Sequence, residues 1–252
     1  MLVGLLPAAG RALRLRPYRS PKELIPLLLA GAEGAVPTPV CHFALDALRV
    51  AGAARAFLVL SDDKLEVLRV LEDGRDYGLP LAYLVQPEPL GLTHVVRLAA
   101  PWLGEADVAF ALPDTITFPE DALARLVARR EATGADVMLG VFPTEEAARL
   151  APVRLDAGGR VLALWDKPAA PEVHNTWGLV VWSARFTRFC AEWDERRTEA
   201  EGKLTHAIEA AMGAGLAVHG LEFPGGVFRD VGTREGLADA LRVLAARGLL
   251  FS

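Results

Sequence analysis

Short runs of consecutive apolar residues alternate with longer stretches in which apolar positions recur at helical spacing. The runs fall at residues 2–7, 56–60, 81–85, 108–112 and 137–141. Each is strand-length and too short for a helix of its own. Between them, Leu45, Leu48 and Val50 mark one stretch, Leu65, Leu68 and Leu71 are spaced by three, and Leu123, Leu126 and Arg129 repeat that interval. Such spacing places them on one side of a helix. Strands alternating with amphipathic helices predict βαβ units and a parallel sheet. Ligands of such sheets sit beyond the carboxyl ends of the strands, so the residues that follow each run carry the interest.

The pattern changes after residue 141. Residues 153–155 and 161–165 flank the segment DAGGR, whose glycines favour a hairpin. Residues 176–182 form another apolar run, 203–212 a helix, 216–221 a short strand and 235–246 a closing helix. Residues 28–37, LLAGAEGAVP, are expected to be a loop because of their Gly and Pro content. No repeat, low-complexity segment or linker breaks the chain. One α/β domain over residues 1–252 is the simplest organisation, with a mixed-strand half beginning near residue 142.

Composition narrows the class. At 52% hydrophobic and 23% charged residues, the 252-residue chain has the balance of a soluble globular enzyme. A net charge of −5 argues against nucleic acid or an acidic membrane as partner. The cysteines, Cys41 and Cys190, offer neither a disulfide framework nor zinc spacing. No signal peptide or membrane-length apolar run is evident, so a cytoplasmic location is expected. Positive charge is instead local: Arg11, Arg14, Arg16, Arg19 and Lys22 follow the first strand. A small anion suits that cluster better than a polymer.

Five stretches stand just after strands. In the first, Gly10 lets backbone N–H groups approach an anion, and Arg14 and Lys22 can reach phosphate oxygens; solvated arginines at a turn are the plainer alternative. In QPEPLGLTH, Gln86 offers a donor and an acceptor to the edge of a base and Gly91 permits close approach, although a Pro-rich loop ahead of a helix starting near Thr93 reads equally well. In FALPD, Asp114 suits a Mg²⁺ ligand or a turn cap. In ALWDKP, Lys167 could meet a second phosphate or remain solvated. In FRDVGTREGL, Asp230 could be a second metal ligand, while Gly232 and Thr233 also fit a plain helix entry. The glycine patterns of a P-loop and of a dinucleotide-binding fold are both missing.

Taken together and in this order, the five stretches resemble the sugar-1-phosphate nucleotidylyltransferases, most nearly the glucose-1-phosphate thymidylyltransferases and their uridylyl relatives. Ala8-Ala9-Gly10, Arg14-Leu15 and Pro21-Lys22 resemble that family's A-A-G-x-G-T-R-L and P-K. Pro89-Leu90-Gly91-Leu92 resembles its P-L-G-L, Asp114 its G-D acid, Asp166-Lys167-Pro168 its E-K-P, and Asp230-Val231-Gly232-Thr233 its D-x-G-T. The chain departs from the pattern at Ala12 and Leu13, where the family has glycine and threonine, and at Asp166, where it has glutamate.

The resemblance implies a Rossmann-like, GT-A-like nucleotidyltransferase fold: a mixed, mostly parallel sheet flanked by helices. Residues 1–141 would form its nucleotide-binding half and 142–252 its sugar-phosphate half. It implies that Ala8, Ala9, Gly10, Arg14, Lys22, Gln86 and Gly91 bind the nucleotide, and that Asp114 and Asp230 hold Mg²⁺. Asp166, Lys167 and Gly178 would bind the sugar phosphate, with Arg14, Lys22 and Lys167 doing the catalytic work. The substrates would be a nucleoside triphosphate, dTTP or UTP foremost, and a sugar 1-phosphate, glucose 1-phosphate foremost; related enzymes also self-associate into homo-oligomers. Two alternatives remain at this point: a cytidylyltransferase acting on a polyol phosphate, and a nucleotide- or sugar-phosphate-binding protein without turnover.

Overall fold

A computed structural model describes residues 1–10, 13–15, 17–88, 90–193 and 203–251. Arg11, Ala12, Arg16, Pro89 and the side chain of Leu13, all named above, lie outside the described residues. The strands run β1 (Leu2–Ala8), β2 (Pro26–Gly31), β3 (Gly34–Pro39), β4 (Ala56–Leu60), β5 (Leu81–Val85), β6 (Asp107–Phe110), β7 (Thr115–Phe118), β8 (Val137–Pro143), β9 (Val153–Leu155), β10 (Val161–Leu164), β11 (Asn175–Trp182), β12 (Val218–Glu222) and β13 (Val227–Asp230). The α-helices are α1 (Cys41–Val50), α2 (Leu65–Leu71), α3 (Gly91–Leu103), α4 (Ala122–Thr133), α5 (Ala184–Glu192), α6 (Leu204–Gly213) and α7 (Arg234–Ala246).

Seven strands make the central sheet in the order β12-β8-β11-β6-β1-β4-β5. Neighbours pair in parallel except β11, which runs antiparallel to both β6 and β8. The sheet is mixed and mostly parallel, as expected. Its period-two alternation feeds two cores. Val3 and Leu5 of β1 face one side, with Val95 and Ala99 of α3, Phe186 of α5 and Ile208 of α6. Leu6 and Ala8 face the other, with Leu45 and Leu48 of α1 and Leu123 and Leu126 of α4. Helices cover both faces, which is why the inner strands read as continuous apolar runs.

Three small antiparallel pairs stand apart from the main sheet: β2–β3, β9–β10 and β7–β13. The β9–β10 pair is the hairpin that DAGGR predicts. The β2–β3 pair corrects the reading of residues 28–37 as a loop. Its ladder runs from Pro26 opposite Pro39 to Gly31 opposite Gly34. The glycines flank a two-residue turn, and the prolines sit at the far end of the pair. The opposite edge of β2 is met by the chain's C-terminal segment: the Ala30 N–H donates to the Leu249 carbonyl, and the Phe251 N–H to that of Leu28. Local composition carries no sign of a partner that distant in sequence. The β7–β13 pair went unpredicted for a similar reason, since each strand is only four residues long.

Candidate active site

Beyond the carboxyl ends of β1, β5 and β6 lies an open cleft of about 480 Å³. Among its lining residues are Ala9, Gly10, Arg14, Lys22, Gln86, Gly91, Asp114, Lys167 and Asp230. Residues from stretches more than two hundred positions apart therefore share one space. Ala8, fully buried at the end of β1, lies outside the cleft lining and packs in the core beneath α1 and α4.

The two acids come together through backbone pairing. Asp114 immediately precedes β7, and Asp230 ends β13. The ladder sets Asp230 opposite Thr115, and the Val231 N–H donates to the Asp114 carbonyl at 2.9 Å. The chemistry of the aspartates was readable from their motifs, but their adjacency needs this unpredicted strand pair. The Gly232 N–H donates to Asp230 Oδ1 at 2.6 Å. Thr233 caps α7 by accepting from the Gly236 N–H at 3.0 Å, as its motif predicted.

Cations neutralise both acids. The Lys22 ammonium donates to Asp114 Oδ2. An Arg14 terminal nitrogen lies 3.8 Å from Asp230 Oδ2. Burial pushes the Lys22 ammonium toward the neutral form, but the adjacent Asp114, with Glu23 and Asp230 adding to it, outweighs that and leaves its pKa above the ordinary lysine value. The Asp230 carboxyl is pushed up, first by burial and then by the negative charge of Asp114; the Gly232 N–H, Lys22 and Arg14 offset this only in part.

Gln86 is buried where β5 leads into α3. Its amide nitrogen donates to the Gly91 carbonyl at 3.3 Å and lies 2.7 Å from His94 Nδ1. The sequence suggested both a donor and an acceptor for a ligand. The structure engages the amide nitrogen internally. Gly91 holds φ +85°, a conformation that suits glycine and starts α3 two residues earlier than expected.

The residues expected to bind the sugar phosphate separate. Lys167 lines the cleft and holds a left-handed backbone, φ +49°, with its N–H on the Leu150 carbonyl at 2.8 Å. That conformation is uncommon outside glycine and asparagine and stores strain. Asp166 lies outside the cleft lining and is paired with Lys203 at 2.8 Å. Gly178 also lies outside it: a Cβ there would come within 2.1 Å of the Phe228 ring, so the glycine makes room for that ring. Phe228, Leu112 and Leu150 supply apolar wall and were not singled out from the sequence. Only the fold brings them to the cleft. A buried ion pair behind Lys22, between Glu23 and Lys64, escaped notice for the same reason.

Among the described residues no group of three or more His, Cys, Asp or Glu side chains could hold a metal ion. No helix among them is long and apolar enough to cross a membrane.

Known proteins resemble this chain throughout its length. The nucleotidyl transferase family model matches residues 3–247. A glucose-1-phosphate thymidylyltransferase of Streptomyces griseus is 33% identical over 66% of this chain and 44% of its own length. The low-salt glycan biosynthesis nucleotidyltransferase of Haloferax volcanii is 29% identical over 94% of this chain and 64% of its own. The chain thus spans less than two thirds of these two relatives. Among solved structures, a Bacillus anthracis protein assigned as a glucose-1-phosphate thymidylyltransferase superposes with a TM-score of 0.83 at 18% identity, covering 96% of this chain and 95% of that one. A UTP-bound UDP-glucose pyrophosphorylase from Acinetobacter baumannii gives 0.75 at 20% identity, covering 97% and 93%.

Proposed function

The chain belongs to the nucleotidyl transferase family, and on that footing we propose that it transfers a nucleotidyl group from a nucleoside triphosphate to a sugar 1-phosphate. The observation that carries the reading is the cleft itself. Arg14, Lys22 and Lys167 bring three cations to a space that also holds Asp114, Asp230 and the buried amide of Gln86. A triphosphate and a sugar phosphate are both anions, and their repulsion is the main obstacle to reaction. Positioned cations in a partly buried site relieve it more than water does.

In the proposed reaction an oxygen of the sugar phosphate forms a bond to the α-phosphorus of the triphosphate. The bond between that phosphorus and the α–β bridging oxygen breaks, and its electron pair leaves with pyrophosphate. A phosphate monoester is already nucleophilic near neutral pH, so no general base is required. Gly10 and Ala9 line the triphosphate end. Arg14 and Lys22 neutralise the triphosphate and the departing pyrophosphate. Lys167 holds the sugar phosphate against the α-phosphorus. The Gln86 amide oxygen accepts from a base, and the N3–H of thymine or uracil suits it, which favours dTTP or UTP. Glucose 1-phosphate is the leading acceptor, in line with the names of the relatives.

The acids fit Mg²⁺. Two carboxylates held side by side, with Asp230 pushed up by burial and by its neighbour's charge, form a pair that a divalent cation would relieve. Mg²⁺ is commonly held by one or two carboxylates plus substrate phosphates, so Asp114 and Asp230 suffice without a larger protein cage. Asp114 and Asp230 would hold the ion, and the chemistry it would supply there is neutralisation of phosphate charge.

The test is pyrophosphate release with Mg²⁺, crossing dTTP, UTP, CTP, GTP and ATP with glucose 1-phosphate, other sugar 1-phosphates and polyol phosphates. Release with dTTP or UTP and a hexose 1-phosphate is the expected result. Release with CTP and a polyol phosphate only would replace this reading with the cytidylyl one. Nucleotide binding without release on any acceptor would replace it with a binding protein.

A further inference from the structure

Directly behind the cleft, Glu23 and Lys64 form an ion pair sealed from water, with side chains 1% and 6% exposed. The Lys64 ammonium reaches both carboxylate oxygens, at 2.8 and 2.9 Å. Each partner sits on a short 3-10 turn. Lys22–Leu24 is the turn that carries Lys22 into the cleft, and Asp62–Lys64 is the turn that follows β4. The pair therefore ties the residue beside Lys22 to the carboxyl edge of the main sheet. The turn itself is three residues, closed by the Leu24 N–H on the Pro21 carbonyl and the Ile25 N–H on that of Lys22; Leu24 and Ile25 anchor it by apolar packing, and the ion pair is its charged anchor on the side of β4.

A buried ion pair is poor value as a stabiliser, because desolvating both charges offsets most of their attraction. The Glu23 carboxyl shows this. It is pushed up by burial even with Lys64 against it, and Asp114 adds to the push. Apolar residues of similar size could fill the same space. The location of the pair is what distinguishes it: it abuts the lysine that carries charge to the triphosphate.

We propose that Glu23 and Lys64 are positioning residues, a buried tie that holds the turn of Lys22 so that its ammonium is aimed at the triphosphate end of the cleft. This rests on the nucleotidyl transfer reading for what Lys22 does. A reverse assignment, in which the pair merely stabilises the fold, predicts equal effects on both substrates.

The experiment replaces the pair by apolar isosteres, Glu23→Met with Lys64→Met. Nucleoside triphosphate affinity is measured by calorimetry, and KM for each substrate by pyrophosphate release. Thermal melting within a few degrees of the parent is expected, together with a loss of about 10- to 100-fold in triphosphate affinity and kcat/KM, the scale reached when a reacting group is misplaced by an ångström. KM for the sugar phosphate should stay close to the parent value. A folded double variant with parental triphosphate affinity overturns the proposal, as does an equal loss on both substrates. If the double variant does not fold, two gentler changes decide. Lys64→Arg still spans the gap and should keep triphosphate affinity. Glu23→Asp falls a methylene short and should lose it. Parental affinity in folded Glu23→Asp overturns the tie. Failure of the parent to release pyrophosphate at all, with triphosphate affinity still falling in Glu23→Asp, would remove the transferase reading and leave the tie standing as a nucleotide-positioning device.

Discussion

At the end of the cleft where β1, β7 and β13 meet, each described charged side chain that lines the cleft has an opposite charge beside it. Lys22 rests on Asp114, and Arg14 lies 3.8 Å from Asp230. Strand pairing holds the two acids together, and a buried ion pair backs the turn of Lys22. The other end is built from looser parts. Lys167 reaches the cleft from a strained left-handed residue on a loop, Asp166 is already committed to Lys203, and Gly178 is filled by the Phe228 ring. One end is a network of mutual charges; at the other, among the described residues that line the cleft, Lys167 stands with the apolar Leu150 and Phe228. Damage at the first should therefore spread through the network and stop turnover. Damage at the second should stay local and show in one substrate.

The largest effects should come from the acids. Asp114→Asn or Asp230→Asn removes a charge the proposed Mg²⁺ needs, and kcat should fall by about 10³-fold or more, consistent with several kcal/mol of transition-state charge stabilisation. Mn²⁺ binding, followed by electron paramagnetic resonance, should weaken in step. Near-parental kcat in either variant would take that residue out of the metal site. Lys22→Met should come next, at about 10²- to 10³-fold in kcat/KM, the range seen when one preorganised charge-stabilising donor is removed. It also leaves Asp114 buried without its counter-ion, so melting temperature should drop as well.

The proposed sugar end sets the contrast. Lys167→Ala should raise KM for the sugar phosphate by about 10- to 100-fold, the worth of one charge-assisted hydrogen bond, and leave KM for the triphosphate unchanged. Lys167→Gly should match it in KM and exceed it in stability, because glycine takes φ +49° without strain. If both KM values move together, the two ends are one network and the comparison fails. Gly178→Ala adds a Cβ 2.1 Å from the Phe228 ring and should cost about 1–3 kcal/mol of stability. Restoring room with Phe228→Leu should recover much of the loss. A change in sugar-phosphate KM at unchanged melting temperature would instead give Gly178 a direct role in binding.

These contrasts also explain what the sequence reveals. Apolar runs on buried strands were legible because both faces of the sheet are covered, so burial and pattern coincide. Arg14, Lys22 and Asp114 were legible because their stretches follow such runs, and Asp230 from its motif alone. What stayed hidden depends on distant pairing. Residues 28–37 lie in the β2–β3 hairpin, and residues 249–251 line the outer edge of β2. Asp114 and Asp230 become neighbours through the β7–β13 ladder, whose strands are too short to show a period. Glu23 beside Lys22 looks like any surface acid until Lys64 arrives from another turn. Asp166 shows the converse: its motif was plain, but its carboxylate is paired with Lys203, and Gly178, which carried no motif and was expected from the resemblance alone, lies beneath a ring.

The smallest effect is the most diagnostic of the network. Asp230 has a raised pKa in the folded chain, so the native state binds its proton more tightly than the unfolded state does. Where the folded protein holds that proton and the unfolded chain has lost it, stability falls as pH rises. The loss begins near the ordinary aspartate value, is complete above the raised one, and is regained as pH drops back below the ordinary value. At neutral pH the ionised carboxylate is therefore a destabilising group in the metal-free protein. Asp230→Asn should raise the melting temperature there while abolishing turnover, and the gain should vanish in acid. The side chain is 35% exposed, so solvent screening should hold the gain below about 1 kcal/mol. Mg²⁺ should erase the difference by stabilising only the parent. A variant no more stable than the parent at neutral pH without metal would mean that Arg14, Lys22 and the Gly232 N–H already balance the acid pair, and that the triphosphate end is no more charge-strained than the sugar end.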